Sequence, residues 1–288
     1  YLWTKNRVGA AGISLGLAAA LKCTPLLFVA YFVLKREWKM VAASISAFVL
    51  FSMSPMIVQG PDQYVRTMQT WLLNVGDGIA DPNPSRGPLG EDKVENLSLR
   101  PALARYLMHL PYGHLGRPET SDSPNRPNRP PNPYYVQFVD LPPYWAGMVA
   151  RAIMIGMLSA IVWSFRNRPS NRTDASVLFE CATISLLILL YSPITWKQHC
   201  VGVIPALYLI CRMRFAGYRL SNWTFAALTV YALFALVLSR ELIGRDAVKL
   251  LDSYHVKTAA ILLLTGTVLS CRHFLTAPHA SGTETRMT

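Results

Sequence analysis

The chain has 288 residues, 52% of them hydrophobic and only 15% charged, with a mean hydropathy of +0.26, values that describe an integral membrane protein and argue against an ordinary soluble domain. A formal net charge of +12 would suit a nucleic-acid partner, but Lys and Arg fall in short clusters beside apolar runs, and no basic stripe with interleaved aromatics exists to carry nucleic acid. Cys23, Cys181, Cys200, Cys211 and Cys271 lie in or next to apolar runs without metal-ligand spacing, so they read as small hydrophobes rather than a disulfide framework.

The sequence opens at Tyr1 with no initiator methionine and no signal peptide, and it reads as a fragment whose N-terminal part is missing. Val8 to Leu34 is apolar, and rich in Gly and Ala at its start as close helix packing in lipid favours. About 20 apolar residues cross a hydrocarbon core, so the run allows one tilted helix. Lys22 and Pro25 in its middle equally allow a broken, re-entrant pair that turns at Lys22-Cys23-Thr24-Pro25, with both ends on one side.

Further spans follow at Met40 to Val58, Tyr144 to Phe165, Ala175 to Tyr191, Cys200 to Cys211, Trp223 to Leu238 and Thr258 to Leu269. The connectors 35–39, 166–172 and 212–219 carry Lys and Arg, and Arg272 follows the last span, so these positions are expected in the cytoplasm. Alternation then puts 59–143, 192–198 and 239–257 outside.

The long outer region is composite. Tyr64, Met68, Trp71, Leu72 and Val75 recur at helical spacing over 63–75, which predicts an amphipathic segment at the interface. Residues 74–90 are expected to be turn-rich, with Gly76, Gly78, Pro82, Pro84, Gly87 and Pro88. A second helix is predicted over 98–110, with Leu99, Leu103, Tyr106, Leu107 and Leu110 on one face and Pro101 tolerated in the first turn. The Pro-rich insertion 117–133 and the tail 274–288 read as disordered.

Three blocks carry chemistry: Gly12 to Pro25 with Lys22; Asn96-Leu97-Ser98-Leu99-Arg100 with Arg105; and Ser192-Pro193-Ile194-Thr195-Trp196-Lys197-Gln198-His199. Polar and ionisable groups at membrane depth are costly without a partner or a task. In order and spacing these blocks resemble glycosyltransferase family 87, of the GT-C superfamily of polytopic membrane glycosyltransferases, with the likeness covering Val8 to about Arg214. The resemblance implies transfer of a sugar, of the hexosyl or mannosyl kind, from a polyprenyl-phosphate donor to a lipid or glycan acceptor on the outer face of the plasma membrane.

Such chemistry needs a general base for the acceptor hydroxyl, cations to offset charge on the departing phosphate, and a groove for the lipid. The resemblance implies a catalytic carboxylate in a loop upstream of Tyr1, and the chain alone is therefore expected to be inactive. Asp62, Asp77, Asp81, Glu91, Asp92 and Glu95 also fall outside, but their spacing marks none as the base. No Asp-x-Asp pair offers a ligand set for a divalent cation, which remains possible as a cofactor.

Each candidate has a plainer reading beside the functional one. Lys22, matching the family's Lys-x-x-Pro lysine, binds donor phosphate or snorkels to the interface. His199 binds phosphate or acceptor, or simply bonds a backbone carbonyl; Lys197 stands where relatives often carry a histidine or a small residue, and adds a cation. Trp196 is a sugar platform or a belt aromatic. Asn96 and Ser98 bind sugar or phosphate, or begin a helix that Ser98 caps; Arg100 and Arg105 contact phosphate or are surface cations.

The reading is an all-α, polytopic transmembrane helix bundle of the GT-C type, with about seven spans and a long extracytoplasmic loop at 59–143. Residues 1–214 form the glycosyltransferase core and 215–273 the C-terminal transmembrane helices. A secondary transporter or a non-catalytic membrane assembly protein is the alternative, but two related halves are not evident.

Overall fold

A computed structural model describes residues 1–87, 90–91, 95–110, 136–166, 172, 175–218, 221–234 and 240–272. The predicted insertion 117–133, the tail 274–288, and Asp92 among the outer carboxylates lie outside the described residues. Helix dominates what is described. In chain order the elements are α1 (Val8–Leu21), α2 (Leu26–Leu34), α3 (Trp38–Met53), α4 (Met56–Gln59), α5 (Pro61–Ala80), β1 (Arg86–Gly87), β2 (Gly90–Glu91), α6 (Leu99–Leu107), α7 (Pro143–Ser164) and α8 (Ala175–Tyr191). A 3-10 segment (Lys197–Val203) leads into α9 (Ile204–Phe215), followed by α10 (Asn222–Ala232), α11 (Arg240–Ile243), α12 (Arg245–Ser253) and α13 (Val256–Ser270). β1 and β2 form one short antiparallel pair.

The run 8–34 is two helices. Lys22 is extended and Pro25, lacking an N–H, caps the start of α2, so the α1 ladder stops at Leu21. The Trp3 and Phe32 rings meet edge to face at 5.3 Å. The Arg172 guanidinium donates to Asn6 Oδ1 at 2.6 Å and to Glu37 Oε2 at 2.9 Å. Both ends of the pair therefore lie at one end of the bundle, and the turn 22–25 lies at the other.

α3 then rises parallel to α1, in close contact. A Cβ on Gly12 would sit 2.5 Å from Ala43 Cβ, and one on Gly16 would sit 2.6 Å from Ala47 Cβ. Small residues four apart let the two backbones approach, as in lipid-embedded helix pairs.

α8 is the centre of the core. Val177, Phe179, Ala182, Ile184, Leu186, Leu187, Leu189 and Leu190 are buried around its whole circumference, as expected of a helix apolar on every side. α2, α6, α9 and α13 pack against it. Near its start, the buried Lys35 ammonium donates to Glu180 Oε1 at 2.6 Å and to the Phe165 carbonyl at 2.7 Å, while Tyr31 donates to Glu180 Oε2 at 2.7 Å. This network ties α2 to α7 and α8 at the basic-connector end.

Trp38–Gln59 and Pro143–Ser164, 22 residues each with hydropathy 2.0 and 1.8, are long and apolar enough to cross a membrane. Only 17% and 22% of their apolar windows are buried, whereas the core helix of a soluble protein would be mostly covered. Their outward apolar surface marks a membrane protein. Among the other predicted spans, Val8–Leu21, Ser176–Tyr191 and Val256–Ser270 are apolar helices of 10–17 residues. α9 and α10 are likewise shorter than the two long helices, and 235–238 of the predicted span 223–238 lie outside the described residues.

Two expectations for the outer region need correction. The helix begun at Pro61 does not stop near Asn74; α5 runs through Gly76 and Gly78 to Ala80. Glycine weakens a helix interior by about 1 kcal/mol, but here distant arginines gather the terminal carbonyls. Arg100 donates to Gly78 O and Asp81 O, both at 2.7 Å, and Arg151 to Ala80 O and Asp81 O, both at 2.8 Å. The second helix, α6, ends at Leu107 and buries Leu99, Pro101, Ala102, Ala104 and Arg105, with Leu103, Tyr106 and Leu107 only half-buried. The predicted leucine stripe thus lies on the covered side only in part, and the buried face extends round to Arg105, whose Nε donates to the Ser253 carbonyl at 3.3 Å.

Candidate functional site

The site forms at the end opposite Lys35, where the turn 22–25 and the connector after α8 meet. Pro193 ends α8. Thr195 Oγ1 then donates back to Leu189 O at 2.7 Å, satisfying a terminal helix carbonyl that has no partner within the helix. Ser192 Oγ donates to Ile194 O at 2.9 Å. These local bonds fold 192–196 into a defined bend.

Asn96 locks that bend from the other side. It is 2% exposed; its Nδ2 donates to Pro193 O at 2.9 Å and its Oδ1 accepts from Thr195 N at 2.9 Å and Ser98 N at 3.2 Å. The Ser98 hydroxyl also donates to Asn96 Oδ1, and Leu97 N donates to Thr195 O at 2.7 Å. Thr258 Oγ1 donates to Leu97 O at 3.0 Å, bringing the start of α13 to the same place. Asn96 and Ser98 thus serve the backbone beneath the site. Ser98 stands at the N-cap of α6, but its side chain makes no cap bond to that helix.

His199 is held by the bend. Its Nδ1 accepts from Trp196 N at 3.0 Å, which puts the proton of the neutral ring on Nε2 and leaves that atom as a donor. Partial burial lowers its pKa, and the nearby Lys22 ammonium lowers it further. Lys22 is exposed at the end of α1, so the structure brings these two residues, 177 positions apart, into electrostatic reach. Trp196 is half-buried beside them.

Lys197 points to residues that sequence reasoning missed. Partial burial lowers its pKa, the Lys257 ammonium does so next, and Asp252 opposes both. Lys257 and Asp252 form a largely buried ion pair at 2.7 Å. Behind them Arg105 is 4% exposed and His255 2%. Burial and the Arg105 charge push His255 down to about 3, and neither of its ring nitrogens has a hydrogen-bond partner among the described residues. The one signal in the sequence was Asp252 and Lys257 in an outer connector; only the fold of α12 and α13 delivers them to Lys197.

Lys22, Lys197, His199 and Trp196 therefore share one end, with Lys257 joining them. Arg100 is engaged elsewhere, spanning the carbonyls of Gly78, Asp81 and Asn83 at 2.7, 2.7 and 3.0 Å. No group of His, Cys, Asp and Glu suited to holding a metal ion occurs among the described residues. An ammonium in electrostatic reach of an imidazole donor, with further ammonium groups at the same end, forms a surface that can hold an anion and offset negative charge developing on it.

No curated protein and no solved structure matches this sequence. A family model does: that of glycosyltransferase family 87 matches residues 1–193 of the 288. The match contains Lys22, Asn96, Ser98 and Arg100 and ends at Pro193, before Trp196, Lys197 and His199. By that match, which covers well over half its length, the chain belongs to glycosyltransferase family 87.

Proposed function

We propose that this chain is part of a multi-pass plasma-membrane glycosyltransferase of the GT-C type, transferring a hexosyl residue of the mannosyl kind from a polyprenyl-phosphate donor to a lipid or glycan acceptor at the extracytoplasmic face. The observation that carries the reading is the approach of the Lys22 ammonium to the His199 ring, at the end away from the basic connectors, with Lys197 two residues before His199 on the same bend. As the glycosyl–phosphate bond breaks, charge builds on the phosphate. Lys22 and Lys197 offset that charge, and His199 donates its Nε2 proton in a hydrogen bond to a phosphate oxygen or holds the acceptor. Trp196 offers an apolar face to the sugar ring. α5 supports a lipid-linked donor: Val65, Trp71, Leu72, Leu73 and Ile79 are exposed along it, as suits a helix lying in the interface.

The test is binding of a polyprenyl-phosphate-linked mannose to the purified chain in detergent, with Lys22→Ala and His199→Ala compared to wild type. Loss of a charge-assisted contact costs about 1.5–3 kcal/mol, so each variant is expected to bind at least roughly tenfold more weakly, Lys22→Ala at an unchanged melting temperature and His199→Ala at a slightly lower one, since it also frees the Trp196 N–H. Equal binding by all three proteins would refute the assignment, and absence of donor binding by wild type would favour a transporter or assembly role.

A further inference from the structure

A cavity lies far from the Lys22 and His199 cluster, at the end that carries the basic connectors. Its volume is about 550 Å³ and it is lined by Val33, Leu34, Arg36, Trp38 and Arg166. It sits where α2 turns into α3 and where α7 ends. Arg36 holds the turn in the left-handed region, φ 56°. A non-glycine residue there is uncommon and marks a backbone held by its surroundings.

Two kinds of lining meet in this cleft. Arg36 and Arg166 are exposed cations that form no salt bridge among the described residues. The Arg166 guanidinium stacks 4.2 Å from the Trp163 ring centroid and its Nη1 donates to the Trp163 carbonyl at 3.5 Å, which holds it in place with its other donors at the edge. Val33, Leu34 and Trp38 supply apolar wall; Val33 is 41% exposed and Trp38 61%. Trp38 and Trp163 are the ring type that settles at headgroup depth, where one end is apolar and the other wet. Two acids of the same end are committed among the described residues: Glu180 pairs with Lys35, and Glu37 with Arg172.

We propose that this cleft binds the headgroup of an anionic phospholipid, with the phosphodiester between Arg36 and Arg166 and an acyl chain along Val33, Leu34 and Trp38. Basic pockets between membrane helices recognise such headgroups, each Lys or Arg contributing about 1 kcal/mol, or roughly a fivefold preference. A free phosphate would use the guanidiniums but gain nothing from the apolar wall. The site is independent of the donor-phosphate reading, since it involves neither Lys22, Lys197 nor His199.

The experiment is native mass spectrometry of the full chain released from detergent with equimolar phosphatidylglycerol and phosphatidylcholine of matched acyl chains. Wild type should retain phosphatidylglycerol over phosphatidylcholine by roughly tenfold or more, and Arg36→Gln/Arg166→Gln should bring the ratio near one. Arg36→Lys/Arg166→Lys should keep part of the preference. If the double variant fails to fold, Arg166→Gln alone, at an exposed helix end, must still lower the ratio roughly fivefold. Equal retention of both lipids by wild type, or an unchanged ratio in a folded glutamine variant, would overturn the proposal. Displacement of the lipid by millimolar inorganic phosphate would overturn it too, by reducing the cleft to a site for any anion.

Discussion

Asn96 separates a residue that touches substrate from one that shapes the site, and Asn96→Ala distinguishes them. The substitution removes the partner of two buried N–H groups, Thr195 and Ser98, and of the Pro193 carbonyl. A buried group left unsatisfied costs about 1–3 kcal/mol; the Pro193 carbonyl lies at the edge and can recruit water. The total is then about 3–4 kcal/mol. A chain of this size loses about 2–4 °C of melting temperature per kcal/mol, so the variant should melt roughly 6–16 °C below wild type in the same detergent. Donor binding should weaken as well, through a loosened 192–199 bend. Lys22→Ala should behave in the opposite way, melting like wild type while losing the donor. An Asn96→Ala protein that melts within about 2 °C of wild type but binds no donor would refute the argument and make Asn96 a direct ligand.

Three further outcomes are expected. His255 has a folded pKa pushed down to about 3 from an ordinary 6.5, so its contribution is intact above pH 6.5 and is lost as the pH falls, because the unfolded chain takes up a proton that the folded one refuses. By pH 5 this amounts to about 2 kcal/mol; His255 sits at φ 45° in the left-handed region, so His255→Asn, which tolerates that backbone and does not titrate, should flatten the fall in melting temperature between pH 7.5 and 5, and an unaltered slope would refute the burial argument. Glu180→Leu strands the buried Lys35 ammonium and should destabilise by about 3–5 kcal/mol, while Lys35→Met/Glu180→Leu should recover most of the loss; a double variant no more stable than the single would show that the charges themselves are not the issue. Gly16→Leu should cost about 3 kcal/mol or more by forcing α1 from α3, whereas Gly156→Ala, with open space around its Cβ position, should be neutral or slightly stabilising in a thermal melt.

What was legible in the sequence follows from what is local. α8 was read to the residue because it is apolar on all sides and closed by Pro193. The break at Lys22 was readable as a possibility, since a proline and a mid-run ammonium both oppose a continuous span. Choosing between one helix and two required Trp3, Phe32, Arg172 and Glu37, which meet only in the fold. The extension of α5 past two glycines was hidden for the same reason: Arg100 and Arg151 hold its last carbonyls from 19 to 71 positions away.

The candidate site divides along the same line. A cation in an apolar run stands out because lipid makes it costly, and Lys22 was visible on that ground. Asn96 and Ser98 read as ligand candidates because their side chains are polar and short; in the fold they bond the backbone of Pro193, Thr195 and Ser98 and each other. Their polarity is used to seat Pro193 and Thr195, and through that bend it sets the tautomer and position of His199. Lys257 and Asp252 were invisible as site residues because a paired charge in a connector looks like solvated surface until burial is known; at 13% and 6% side-chain exposure the pair is part of the wall. If Lys197 needs that wall to keep its ammonium in place, then Asp252→Asn should weaken donor binding without touching any residue that the donor contacts. A melting curve run beside the binding assay would show whether the effect is one of position or of stability.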